Sequence, residues 1–296
     1  MLTRATWEEA VRCGGRKPIQ TRWVDVNKGD FKSPDVRSRL VAKDFAAGRD
    51  DSFYAATPPL EALRLLLSDM ASRGAHASEP IKLMVLDAKK AHLHAAAERE
   101  LYVVLPAEAG GGCARLLRAL YGTRDAPALW EAFAAAQLQA LGFRRGRANA
   151  CVYVHPGRGL RCLVHGDDFV STGPHGQLEW LHRSLERTIL LKRVGILGLD
   201  AAAGDVPEIR VLNRILRVGV EGVLYEADPR RAEILTAMLA APASSLSTPG
   251  TKPSLPKSTA VRDCRNPSVP TGGGNEHSEQ EVFALNGEDS RGGAGW

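Results

Sequence analysis

The sequence predicts an α+β fold built on an antiparallel sheet, and three observations carry that expectation. An apolar strand-like run, IKLMVLDA (81–88), closes on an aspartate, Asp87. The segment LRCLVHGDDFVSTG sets two apolar strands on either side of a Gly-Asp-Asp turn. Two helical patterns, ALWEAFAAAQLQALGF and QLEWLHRSLERTILL, flank that hairpin. Strand, helix, two hairpin strands and helix is the order of an α+β layer with an antiparallel sheet.

The elements follow in chain order. The opening, MLTRATWEEAVRCGG, has no apolar run and carries acidic residues, which does not match a signal peptide. Residues 1–80 mix a basic, turn-rich stretch with one good helix. RSRLVAKDF reads as a short strand bearing several cations. After Thr57-Pro58-Pro59, LEALRLLLSDMASRG places Leu60, Leu63, Leu67 and Met70 at helical spacing, with Gly74 as C-cap. Within 81–200, ELYVVLP is a strand closed by Pro106. In the next helix Leu129, Phe133, Ala136 and Leu141 share a face and Gly142 ends it. ACVYVH and LRCLVH supply further strands. Residues 201–242 read as two strands joined by a glycine-containing turn, then the helix PRRAEILTAMLA. Residues 243–296 are rich in Ser, Pro, Thr and Gly, bury too little to offset their ordering entropy, and are expected to be disordered.

At 296 residues, 44% hydrophobic and 25% charged, the chain has the composition of a globular protein with a sizeable core. A net charge of +5 suits contact with phosphate backbones but fits many other partners. The five cysteines are scattered and never form CxxC, so free thiols are expected in preference to a disulfide framework or a zinc cluster. The histidine spacing fits no zinc motif, and the Gly triplets lack the GKS/T of a phosphate loop. No apolar stretch approaches the ~18–20 residues of a membrane span. The expected compartment is cytoplasmic, with a virus-like particle or the nucleus as alternatives.

The chemistry lies in Asp87 and the pair Asp167-Asp168. A carboxylate closing a strand of Ile, Leu, Met and Val is unfavourable unless something neutralises it. Three such groups brought together repel one another, and divalent cations relieve that repulsion; Mg²⁺ favours carboxylate and phosphate oxygens. Two ions about 3.5–4 Å apart suit phosphoryl transfer. Taken singly, a Gly-Asp-Asp turn is an ordinary hairpin turn, and an aspartate at a strand end is an ordinary cap. Their combination, each flanked by apolar runs, is what points to metal-dependent chemistry.

At this point the sequence resembles a known family. LLRALYGTRDAPALWEAFAAAQLQALGFRRGRANACVYVH follows the copia-type reverse transcriptase block LxxALYGLKQAPRxWxxxxxxxLxxLGFxxxxxDxCxY nearly residue for residue. LVHGDDFVSTG stands where that family has xYVDDxxxxG, and RSRLVAKDFAAGRDDSFYAATPPLEALRLLL resembles ARLVAKGFxQxxGxDYxxTFAPVxxxxxxRxLL. The resemblance, over roughly residues 20–250, implies a right-hand polymerase. Residues 1–80 with part of 96–125 would form fingers, and 81–200 otherwise a palm. Residues 201–242 would give a primer-contacting hairpin and the first helix of a truncated thumb. It implies DNA synthesis from deoxynucleotides on an RNA template and DNA primer, with two Mg²⁺ ions (Mn²⁺ as a substitute) held by Asp87, Asp167 and Asp168. Arg39 and Lys43 match the fingers cations that meet the nucleotide triphosphate; Tyr121 and Gly122 match the segment under the templating pair.

Several positions depart from the family pattern. His92 replaces an aromatic residue that sits against the nucleotide sugar, which puts discrimination against ribonucleotides in question. His165-Gly166 replaces Tyr-Val. Arg124-Asp125 replaces Lys-Gln and sets a negative charge near an expected nucleic-acid surface. Together the departures leave open a second reading, a decayed remnant that keeps the fold and binds nucleic acid without catalysis. A third, an RNA-dependent RNA polymerase, rests on Gly-Asp-Asp alone and is opposed by the LYG…AP…W block.

Overall fold

The computed structural model describes residues 2–28, 33–45, 53–74, 79–219 and 222–238, all within one compact unit, Met1–Ala241. The tail expected to be disordered, 243–296, lies outside the described residues. In chain order the elements are β1 (Leu2–Ala5), α1 (Trp7–Gly14), β2 (Thr21–Asn27), β3 (Val36–Ala42), α2 (Leu60–Gly74), β4 (Ile81–Ala88), β5 (Tyr102–Val104), β6 (Cys113–Leu116), α3 (Ala126–Ala140) and β7 (Arg144–Arg145). There follow β8 (Val152–His155), β9 (Leu160–His165), β10 (Asp168–Pro174), α4 (His175–Leu185), β11 (Leu191–Leu197), β12 (Glu208–Val211), β13 (Arg214–Gly219), β14 (Gly222–Ala227) and α5 (Arg230–Met238).

A six-stranded antiparallel sheet, ordered β11-β4-β10-β9-β8-β7, forms the centre. Its inner strand β4 is apolar on both faces because both faces are covered. Met84, Leu86 and Ala88 point into a core with Trp130 and Leu138 of α3 and Leu178, Leu181 and Leu185 of α4. Leu83 and Val85 point the other way, into a core with Leu63, Leu66, Leu67 and Met70 of α2. The period of two along a strand explains the uninterrupted hydrophobic run. Smaller antiparallel sheets, β1-β6-β5, β12-β13-β14 and the hairpin β2-β3, complete the described chain.

The expected α+β class with antiparallel sheets is what the chain adopts, and the differences are local. The stretch read as a turn-rich opening contains β1 and α1, whose N-cap Thr6 accepts a hydrogen bond from the Glu9 N–H. Leu60, expected on the buried stripe of α2, is 41% exposed, and Leu66 is buried instead. In α3 the expected residues Leu129, Phe133 and Leu141 pack partly buried against the core, Ala136 is exposed, and Trp130, Ala134, Ala135 and Leu138 form the fully buried part of the face. The last helical pattern of 81–200 ends at Leu185, and Leu191–Leu197 is a strand. Its pairing with β4 shifts register between Arg193 and Gly195, and a bulge of this kind erases the alternation that would have marked it. Residues 208–227 form three strands, not two, because Leu212 and Asn213 turn the chain at φ +50° and +58°. A leucine in that left-handed region gives little turn signal.

Candidate active site

Register brings the predicted carboxylates together. In the β10–β4 ladder Asp168 stands directly opposite Asp87, so both side chains share the face of Leu83, Val85 and Val170. Asp167 sits in the two-residue turn between β9 and β10, with Gly166 before it. Gly166 has φ +60° and Asp167 a negative φ, the pattern of a II′ hairpin turn, in which glycine takes the first position. A carboxylate oxygen from each of Asp87, Asp167 and Asp168 lies within 4.8 Å of the others.

Like charges so placed destabilise one another, and the electrostatics record it. Burial raises Asp87 above the usual carboxylate range and the Asp167 charge adds to this, against the positive charges of Lys192, Arg37 and Lys89. Burial pushes Asp168 up to about 7, with the charges of Asp167 and Asp87 contributing. Three converging oxygen donors with no salt bridge to them among the described residues fit a hard divalent ion such as Mg²⁺ or Mn²⁺.

Beside the triad opens a cavity of about 370 Å³, lined among others by Arg39, His92, Tyr121, Trp130, Gly166 and Asp167. The His92 and Tyr121 rings lie 4.6 Å apart, and the Arg39 guanidinium sits 5.9 Å from the Tyr121 centroid. Burial lowers the His92 pKa below the usual imidazole value, against the attraction of Asp167, so the ring is neutral near pH 7. Gly122 has a role in backbone packing: at φ +84° a Cβ there would stand 2.1 Å from the Ala42 carbonyl oxygen. This close approach lets the Ala42 N–H donate to the Tyr121 carbonyl at 2.7 Å, seating the end of β3 beside the cavity. Lys43 is not brought to it. It lines a separate cleft with Arg16, Lys17 and Gln20.

Sequence reasoning gave no site role to some residues around the triad. Arg37 lies two residues from the expected Arg39 on one face of the β2-β3 hairpin and acts electrostatically on Asp87. Trp130 donates its indole N–H to the Gly166 carbonyl at 2.7 Å. The family pattern had marked Trp130 by position without a role. Asp125, expected to project negative charge toward nucleic acid, turns inward. Arg99 grips it with Nε and an η nitrogen at 2.8 and 2.7 Å, and also reaches Asp44 at 2.8 Å.

Comparison with known proteins agrees with this arrangement. A family model described as Reverse transcriptase (RNA-dependent DNA polymerase) matches residues 4–199. The chain belongs to that family. It is also 26% identical over 203 residues to the Retrovirus-related Pol polyprotein from transposon TNT 1-94 of Nicotiana tabacum, a copia-type element. The matched stretch spans 62% of this chain and 15% of that polyprotein. Among the described residues no helix is long and apolar enough to cross a membrane.

Proposed function

We propose that this chain is an RNA-directed DNA polymerase, extending a DNA primer on an RNA template with deoxynucleotides. The observation that carries the reading is the convergence of Asp87, Asp167 and Asp168 beside a cavity bearing Arg39, in a chain of the reverse transcriptase family. On this reading the arrangement is a right hand. Fingers come from residues 1–80 and part of 96–125, the palm from the rest of 81–200, and a primer-contacting hairpin and first thumb helix from 201–242.

Each side chain then has a task. Asp87, Asp167 and Asp168 would hold two divalent cations, Mg²⁺ or Mn²⁺, which when bound would neutralise the carboxylates and stabilise charge on the entering and leaving oxygens. Arg39 meets the triphosphate, a contact that favours phosphate without reading sequence. The His92–Tyr121 pair forms an aromatic wall against the nucleotide's ribose and base. The primer 3′-hydroxyl gives its proton to water as its oxygen bonds to the α-phosphorus, the bond from that phosphorus to the β-bridging oxygen breaks, and pyrophosphate leaves. Orientation and electrostatic stabilisation supply the rate, with no dedicated protein base.

Primer extension on an RNA template with deoxynucleotides and Mg²⁺ tests this, with Asp167→Asn/Asp168→Asn as control. Extension that vanishes in the double variant is the expected result. No extension by a folded wild-type protein would instead support the remnant reading, and extension retained in the double variant would remove these carboxylates from catalysis.

A further inference from the structure

We propose that Trp130 is the positioning residue of the carboxylate turn, a role that rests on the polymerase reading of the site. Both carbonyls of the turn are held. The Ala88 N–H donates to the Asp167 carbonyl at 2.8 Å, tying the turn to the end of β4. Trp130 Nε1 donates to the Gly166 carbonyl at 2.7 Å, tying it to α3. A Cβ built on Gly166 meets nothing within 4 Å, so no steric wedge defines the turn on that side and the hydrogen bonds must.

The indole is placed to act as a fixed donor. Trp130 is 4% exposed, its ring stacks with Phe133 at 6.0 Å, and it meets Phe169 edge-on at 6.3 Å. Gly166 and Phe169 are the residues on either side of Asp167-Asp168, so one side chain brackets the pair from both ends. The helix beneath it is anchored in turn: Arg99 holds Asp125 at the start of α3, and the carboxylate of Glu131 accepts from the Ala56 N–H at 2.6 Å. Groups that orient metal-holding carboxylates commonly change cation affinity by about 10–100-fold when removed. Trp130 does this through a backbone carbonyl, aiming Asp167 toward Asp87 and Asp168.

Two variants separate this role from simple packing. Trp130→Phe keeps an aromatic ring and removes the N–H; Phe133→Leu loosens the same stack and leaves the hydrogen bond. The readouts are Mn²⁺ affinity by electron paramagnetic resonance, the Mg²⁺ concentration giving half-maximal primer extension, and the melting temperature. We expect Trp130→Phe to weaken Mn²⁺ binding about tenfold or more and to raise the Mg²⁺ requirement by a similar factor. Phe133→Leu should lower the melting temperature and leave both cation readouts near wild type. Unchanged cation binding in Trp130→Phe, or an equal loss in Phe133→Leu, overturns the proposal. Should Trp130→Phe fail to fold, benzothienylalanine at position 130 replaces the N–H with sulfur in the same ring shape and carries the same two outcomes. Wild-type protein without Mn²⁺ binding would bring down the polymerase reading itself, whereas normal wild-type binding with an unaffected variant removes only the role of Trp130.

Discussion

Asp44 and Asp125 are buried and Asp87 and Asp168 half-buried, yet the chain treats the two groups in opposite ways. Burial alone would raise Asp44 and Asp125, but hydrogen bonds from Arg99, the Arg124 N–H to Asp44 and the charge of Arg16 hold both below the usual carboxylate range. Their side chains are 2% and 8% exposed, and Arg99 rises above its own ordinary value in return. Around Asp87, Asp167 and Asp168 no described residue forms a salt bridge with any of the three, and Asp168 is driven up to about 7. Where acids serve the fold, the chain supplies their counter-charge. Where they converge without a salt bridge among the described residues, Lys192, Arg37 and Lys89 offset only part of the repulsion at Asp87.

Breaking the unpaired cluster should have the largest effect. Asp87→Asn is expected to lower the rate of primer extension at least about a hundredfold, the scale on which loss of one charge-stabilising group acts, while the melting temperature holds or rises. A variant within a few-fold of wild type would argue that the cluster is structural. Breaking the paired cluster should act on the fold instead. Arg99→Ala removes the charged partner of Asp125 and leaves Asp44 with Arg16 and the Arg124 N–H, and urea unfolding should register a loss of about 3 kcal/mol. A change below about 1 kcal/mol would show that the network contributes little.

The two clusters also carry opposite pH signatures. Asp168 has a folded value of about 7. That is above the ~3.9 of a free aspartate, so its contribution is favourable below about pH 4 and is lost as pH rises through 7. Asp44 and Asp125 are depressed in the fold, so their contribution is present above about pH 4 and is lost as pH falls through their lowered values. Calorimetry without divalent cations should therefore find a stability maximum at mildly acid pH. Added Mg²⁺ should raise the melting temperature at pH 8 by roughly 4 °C and by much less at pH 5, where protons compete for the same oxygens. An equal Mg²⁺ effect at both values would place the cation elsewhere. The smallest change expected is Gly166→Ala, which forces a side chain into φ +60° with open space around it and should cost about 1 kcal/mol of stability. A neutral result would mean that the turn relaxes freely.

The contrast also explains what the sequence could disclose. Asp87 and Asp167-Asp168 were legible because each interrupts an apolar run, and a strand ladder aligns such interruptions wherever both faces are covered. The limits of β4 and α2 were legible for a similar reason: a strand buried on both sides and a helix bounded by proline and glycine leave strong local marks. The pairing of Arg99 with Asp44 and Asp125 left none, since its members are 55 and 26 residues apart and only tertiary contact joins them. The inward turn of Asp125 was misread on that account. Trp130 was visible as a member of a pattern, but its hydrogen bond to Gly166 spans 36 residues and depends on the phase of α3. Within that phase only Ala136 falls on the wrong side, since alanine takes either side of a helix equally well. Strand β11 escaped notice because its bulge removes the period by which strands are recognised.

Whether the carboxylate cluster holds cations is read most directly from the number of Mn²⁺ ions bound per chain at pH 8, by water-proton relaxation, in wild type and in Asp87→Asn/Asp167→Asn. Stoichiometric binding to the wild-type protein and its loss in the variant, with the fold intact by circular dichroism, is the expected result. Equal binding by both proteins, or none by a folded wild type, would contradict it.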